Sequence, residues 1–258
     1  MTCVIAVPVK DLVNAKQRLM PVLSPEERMA LADAMLRDVL AALVAARAGQ
    51  VWVVTRDPAV TRLAREFGAR VLGEAENHGH TAAVAEAQAE ASRQGARVFA
   101  TVPGDTPSVT APEIAELMAA ARAADPIAVL VPSRSGLGTN GVALSPPGAM
   151  PLTFGEPSFD NHVDVARGCG LGPRVLRLPG LGLDIDAPED LLALAAEAPG
   201  SRSGSLLTRW RITERVAETP TVLNASLSGH PRTHSGSPRS ETDLRLRTPP
   251  PASRSPLQ

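Results

Sequence analysis

Aromatic side chains are nearly missing from this sequence. They make up 2% of its 258 residues, and there is no tyrosine. Holding single-stranded nucleic acid by base stacking needs aromatic platforms, so that mode of binding is excluded. The 44% of hydrophobic residues must build a core from Ala, Val, Leu and Ile instead. Cysteine is also scarce. Cys3 and Cys169 are the only two, too far apart for a metal-spacing motif and too few for a disulfide framework. Long uncharged apolar runs are absent as well. Residues 29–48 come nearest, but Asp33, Arg37, Asp38 and Arg47 interrupt them, as suits a helix in water and not a membrane span. The opening Met1-Thr2-Cys3-Val4-Ile5 lacks a basic leader before a long apolar stretch, so no signal peptide is expected and the cytoplasm is the default.

The net charge of −1 hides an asymmetry. From Pro199 onward nine Arg face four acids, leaving 17 basic and 23 acidic residues before that point. An acidic body binds nucleic acid poorly, so an anionic ligand must meet cations gathered at one place.

The first 198 residues alternate short β-branched runs with helical stretches. Val4-Ile5-Ala6-Val7 reads as a first strand, and Ser24-Pro25-Glu26-Glu27 opens a helix with a capping box that Gly49 ends. Strands are expected at 51–55, 70–72, 97–102 and 127–131. Helices are expected after Asp57, over 80–93 and after Thr110. This rhythm predicts βαβ crossovers and an α/β fold, with a mostly parallel sheet and helices on both faces. Residues 133–182, dense in Gly and Pro, read as substrate loops with short strands such as Val142-Ala143-Leu144. Leu183-Asp184-Ile185-Asp186 then reads as a strand, followed by a last helix from Pro188. The expected division is a nucleotidyltransferase domain over 1–198 and a disordered basic Ser/Pro/Arg-rich tail over 199–258, in which Trp210 and Ile212 are the one hint of a docking segment. On that division, truncation after Pro199 should leave activity unchanged.

In an open α/β sheet, ligands sit beyond the carboxyl ends of the strands, so the residues there carry the chemistry. After the first strand, Lys10, Lys16 and Arg18 fall within nine residues and could neutralise a triphosphate, or form an exposed basic loop. That segment has neither a Walker lysine nor Gly-x-Gly-x-x-Gly. Asp105 follows the 97–102 strand, where it is either a turn residue or a metal-binding carboxylate. Asp184 and Asp186, two apart on a strand, would face the same side and could share one Mg²⁺. Asp186 could equally cap the following helix with Glu189. The loop from Ser133 to Asn140 offers small donors, and Gly155-Glu156-Pro157-Ser158 looks like a helix start whose free N–H groups attract an anion. His162 lies one turn on, within reach of the same ligand.

Taken in order, several motifs resemble the 2-phospho-L-lactate guanylyltransferase family of coenzyme F(420) biosynthesis. They are Pro8-Val9-Lys10, Ala15-Lys16-x-Arg18-Leu19, Gly-x-Gly-Thr139-Asn140, Phe154-Gly155-x-x-Ser158-Phe159-x-x-His162, and Pro179-Gly180-Leu181-x-Leu183-Asp184-Ile185-Asp186-x-Pro188-Glu189-Asp190-Leu191. The resemblance spans residues 3–198. It implies a nucleotide-diphospho-sugar transferase (glycosyltransferase-A-like) fold, GTP and a phosphorylated three-carbon acid as ligands, Mg²⁺ as cofactor, and no nucleic-acid or membrane partner; a homodimer stays an open option. By the same resemblance Asp105, Asp184 and Asp186 are catalytic metal ligands. Thr139, Gly155, Ser158 and His162 then face the acceptor, and Lys10, Lys16, Arg18 and His80 face the nucleotide. Two departures stand out: Asp105-Thr106-Pro107 for Asp-Leu-Pro, and Gly79-His80-Thr81 for Gly-Leu-Asn. The Gly79-His80-Thr81 and Pro103-Gly104-Asp105 forms resemble the 3-phospho-D-glycerate type of acceptor more than the phosphoenolpyruvate or 2-phospho-L-lactate types. The rival readings are a molybdenum-cofactor-type or sugar-phosphate nucleotidyltransferase and a non-catalytic nucleotide-binding module. The first lacks its glycine-rich loop here, and the retained aspartates speak against the second.

Overall fold

The computed structural model describes residues 2–12, 15–73, 79–155 and 157–219. Seven strands form one sheet: β1 (Cys3–Pro8), β2 (Gln50–Val54), β3 (Arg70–Leu72), β4 (Val98–Thr101), β5 (Ile127–Pro132), β6 (Thr139–Ser145) and β7 (Arg174–Val175). Their spatial order is β3-β2-β1-β4-β6-β5-β7. Every pairing is parallel except those of β6, which runs antiparallel to both β4 and β5. Around the sheet lie α1 (Pro25–Ala46), α2 (Pro58–Glu66), α3 (His80–Arg93), α4 (Ala111–Arg122), α5 (Ser158–Gly168), the single turn α6 (Pro179–Gly182) and α7 (Pro188–Glu197).

Helices cover both faces because β1 is apolar at every position and its side chains alternate across the sheet. Cys3, Ile5 and Val7 pack with Leu36, Val39 and Leu40 of α1, Val60 and Leu63 of α2, and Ile114 and Leu117 of α4. Val4 and Ala6 face the other way, toward Val84 and Ala87 of α3 and Ala166 of α5. Helix starts follow sequence chemistry. Ser24 and Thr110 form capping boxes with Glu27 and Glu113, and Asp57 accepts from the N–H groups of Ala59 and Val60. No helix among the described residues is long and apolar enough to cross a membrane.

Four expectations are corrected. Helix α1 runs to about Arg47, as the sequence led one to expect, but the stop is Arg47 itself, in the left-handed region at φ 48°, and not Gly49. Gly49 is needed for close approach, since a Cβ there would lie 2.8 Å from the Cys3 carbonyl oxygen. Residues 133–182 hold more than loops: β6 is seven residues long, wholly buried, and inside the sheet. Residues 183–186 join no sheet; they run alongside Asp105, whose carbonyl oxygen accepts from the Ile185 N–H at 3.1 Å.

The fourth correction concerns the tail. Residues after Pro199 continue into two helices, α8 (Arg202–Arg209) and α9 (Ile212–Glu218). Leu207, Ile212 and Val216 are buried with Leu19, Leu31 and Met35 and with Leu191 and Leu194 of α7. Apolar residues four to five apart on short amphipathic turns were enough to dock them, despite the basic, serine-rich composition. The packed body therefore extends to residue 219. The part of the tail expected to be disordered beyond that lies outside the described residues.

Candidate active site

Two cavities adjoin at the carboxyl edge of the sheet. The first, about 360 Å³, is lined by residues following β1 (Pro8 to Leu12, Ala15, Lys16), by Met35 and Leu36 of α1, and by His80, Pro103, Gly104 and Asp105. The second, about 420 Å³, shares His80, Pro103 and Asp105. It adds Thr81, Thr101, Gly138, Thr139, Asn140, Phe154, Gly155, Ser158, Asp184 and Asp186. Asp105 thus stands at the junction. Because β6 is antiparallel, its first residues, Thr139 and Asn140, lie at the same edge where β1 and β4 end.

Lys16 organises the junction. Its backbone takes the left-handed conformation (φ 57°, ψ 44°), and its ammonium donates to Asp105 Oδ2 at 2.5 Å and to Asp186 Oδ1 at 2.9 Å. Burial pushes the ammonium pKa down, but attraction and hydrogen bonds from the two carboxylates outweigh it and hold the pKa above the ordinary lysine value. Asp184 sits beside this pair. Burial raises its pKa, repulsion from Asp105 and Asp186 adds to that, and the Asn140 amide, donating to Oδ1 at 3.0 Å, partly opposes it. Asn140 also donates to the Gly182 carbonyl oxygen at 3.1 Å, so one amide ties β6 to the chain that carries Asp184.

Asp186 is not the helix cap. Asp190 Oδ2 accepts from the N–H groups of both Asp186 and Ala187, at 2.9 and 2.7 Å, which leaves the Asp186 carboxylate for Lys16. Among the described residues no group of three acids, histidines or cysteines is already gathered as a metal would need it. Two of the three expected ligands are engaged by an ammonium.

The remaining expected site residues divide clearly. Lys10 lines the first cavity, His80 lines both, and Gly155 and Ser158 line the second. Burial lowers the His80 pKa, with Asp105 opposing and Lys10 reinforcing the shift. Arg18 is exposed and lines neither cavity. His162 is 1% exposed and touches protein on both ring nitrogens, so it faces no ligand directly. Asn140 and Phe154 stood in the quoted motifs, but the contacts they and Glu113 make across sequence distance could not be read from spacing. Phe154 meets the His80 and His162 rings edge-on, at 4.6 and 5.0 Å between centroids. Glu113 Oε1 accepts from the Gly180 N–H at 2.7 Å, fixing the turn before Asp184.

The carboxylates and cations at the carboxyl edge of this sheet suit nucleotidyl transfer between bound anions, and the protein is a nucleotidyltransferase. A crystal structure from Desulfovibrio desulfuricans G20, assigned provisionally to the nucleotide-diphospho-sugar transferases, superimposes with a TM-score of 0.70 at 15% identity, over 85% of this chain and 99% of that one. Residues 2–226 match the family described as guanylyl transferase CofC like, and the chain belongs to that family. It is 41% identical over 190 residues to the phosphoenolpyruvate guanylyltransferase of Rubrobacter xylanophilus, covering 74% of this chain and 92% of the relative. It is 35% identical to the 3-phospho-D-glycerate guanylyltransferase of Phenylobacterium zucineum, covering 79% and 96%.

Proposed function

We propose that this guanylyltransferase moves GMP from GTP onto the phosphate of a phosphorylated three-carbon acid, releasing pyrophosphate, as a step of coenzyme F(420) biosynthesis. The observation that carries this reading is the pair of cavities meeting at Asp105, cationic on the side of Lys10 and Lys16 and rich in hydrogen-bond donors on the side of Thr139 and Ser158. The first takes GTP and the second takes the acid, so their reacting phosphates meet at the junction. An acceptor phosphate oxygen attacks the α-phosphorus of GTP, and the bond to pyrophosphate breaks. The acceptor phosphate is already ionised near neutral pH, so no side-chain nucleophile is needed. The cost of the step is charge crowding, which positioned cations relieve.

Asp105, Asp184 and Asp186 would hold Mg²⁺. Carboxylate oxygens are the hard donors this ion prefers, and it would supply charge neutralisation between the two phosphates. The residues fit in kind, because Asp105 and Asp186 already bind a cation, the Lys16 ammonium. An ion held there would take over neutralisation of the two carboxylates, and Lys16, which lines the first cavity, would then be available to a GTP phosphate.

The acceptor preference of the Gly79-His80-Thr81 and Pro103-Gly104-Asp105 forms is 3-phospho-D-glycerate. Phosphoenolpyruvate is the second reading, favoured by the higher identity to a relative that bears that name. Pyrophosphate release from GTP and Mg²⁺ with each of the three acids in turn decides between them. Release with one acid names the acceptor; no release with any would sink the proposed activity.

A further inference from the structure

His162 is buried, yet the chemistry proposed above gives it no part. Its bonding is unusually well defined. The Thr153 backbone N–H lies 3.1 Å from Nε2. A backbone N–H can only donate, so Nε2 must be the unprotonated nitrogen. Burial pushes the pKa of this ring down to about 4, which keeps it neutral. The single ring proton is therefore on Nδ1, 2.9 Å from Thr139 Oγ1, and it donates there.

The same reasoning extends one residue further. Ser158 Oγ accepts from the Thr139 N–H at 2.9 Å and directs its own proton to Thr139 Oγ1 at 3.3 Å. A threonine hydroxyl has two lone pairs and one proton. Both lone pairs are now filled, by His162 and Ser158. The proton has no acceptor left among these groups, and Thr139 lines the second cavity.

We propose that His162 is a positioning residue that fixes the Thr139 hydroxyl as an obligate donor into the second cavity, so that the site accepts an anionic oxygen there and refuses a donor. The proposal rests on reading that cavity as the acid's site. It also explains why His162 is clamped from two sides. Its Nε2 holds the chain at Thr153, just before Phe154 and Gly155, while its Nδ1 holds the start of β6. One ring therefore sets the distance between two walls of the pocket.

Steady-state kinetics on the full chain with GTP, Mg²⁺ and the preferred acid test this. His162→Leu should raise the KM for the acid about 10-fold, the value of roughly one hydrogen bond to an anion, while the KM for GTP stays within about 2-fold. His162→Asn, whose side-chain amide can donate from the Nδ1 position, should recover most of the loss. Thr139→Val should match His162→Leu, and the double variant should be no worse than Thr139→Val alone, because both changes remove the same interaction. Additive losses, or equal losses in both KM values, would make His162 merely structural and overturn the proposal. Should the leucine variant not fold, ¹⁵N NMR of the wild-type imidazole still decides: a proton on Nδ1 is expected, and one on Nε2 overturns it. Wild-type protein inactive with all three acids would defeat the proposed activity, and the NMR result would stand apart from it.

Discussion

Asp38, near the end of α1, caps a helix that begins 164 residues later: its Oδ2 accepts from the Ser203 N–H at 2.9 Å and the Ser203 hydroxyl at 2.6 Å. Its Oδ1 accepts from the Arg202 N–H at 3.1 Å. A buried carboxylate satisfied by four donors, the Arg202 guanidinium at 3.5 Å being the fourth, fixes α8 in place, and α9 follows through Arg215, which grips both oxygens of Glu27. Truncation after Pro199 is therefore expected to lower Tm sharply or to yield insoluble protein, because it strips cover from Leu31, Met35 and Leu194. Asp38→Ala should cost about 2 kcal/mol in denaturant unfolding, the value of a lost cap with buried donors left unpaired.

Lys16→Met removes the ammonium that Asp105 and Asp186 share. Neighbouring like charges repel, so Tm should fall in the absence of divalent ions. Adding MgCl₂ should restore Tm more in the variant than in the wild type. An equal response of the two proteins would remove these carboxylates from any cation site.

Asp184→Asn separates stability from chemistry. The buried carboxylate resists ionisation, so the wild type is penalised near neutral pH, where Asp184 must be charged. The amide keeps an oxygen for the Asn140 donor and carries no charge. Tm should stay level or rise, while turnover falls at least about 100-fold, as when a metal site is damaged. Normal turnover would show that Asp184 holds no essential cation.

The neutral, buried His162 gives a pH signature. Its folded pKa, about 4, lies below the ordinary value of 6.5. Between these the unfolded chain binds a proton that the folded state refuses, so stability is full above pH 6.5 and is lost as pH falls toward 4. Thermal melts of His162→Asn should show a shallower fall across that window than wild-type melts.

Gly180→Ala should damage the site without touching it. A Cβ there would lie close against the Ser108 carbonyl and 2.6 Å from Glu113 Oε2, which the α4 cap holds in place. The turn before Asp184 must shift against backbone, so a fall in kcat together with a lower Tm is expected.

Much of this was legible beforehand. Strands β1, β2 and β4 announced themselves by β-branched runs, and the caps at Ser24, Asp57 and Thr110 by local chemistry that acts within three or four residues. Asp105, Asp184 and Asp186 were placed correctly as neighbours, though the reason given for the last two was not the real one: an extended segment beside Asp105 aligns them, and no strand does. What could not be read was every contact made across sequence distance. The Asn140 bond to Asp184 spans 44 residues, the Lys16 bridge to Asp186 spans 170, and nothing local to any of them marks the partner. The tail misled because composition measures average polarity, while docking of α8 and α9 needed only Leu207, Ile212 and Val216 at the right phase.

The reversed direction of β6 divides the labour of the site. Lys10, Lys16 and Asp105 follow strand ends, whereas Thr139 and Asn140 open a strand and are reached through the 133–138 turn. Insertions or deletions in that turn, or in the 153–158 segment opposite, would re-aim the acceptor wall and leave Lys10, Lys16 and Asp105 where they are. On the function proposed above, editing these loops alone would alter which small acid is accepted, with the nucleotide wall kept as a constant part.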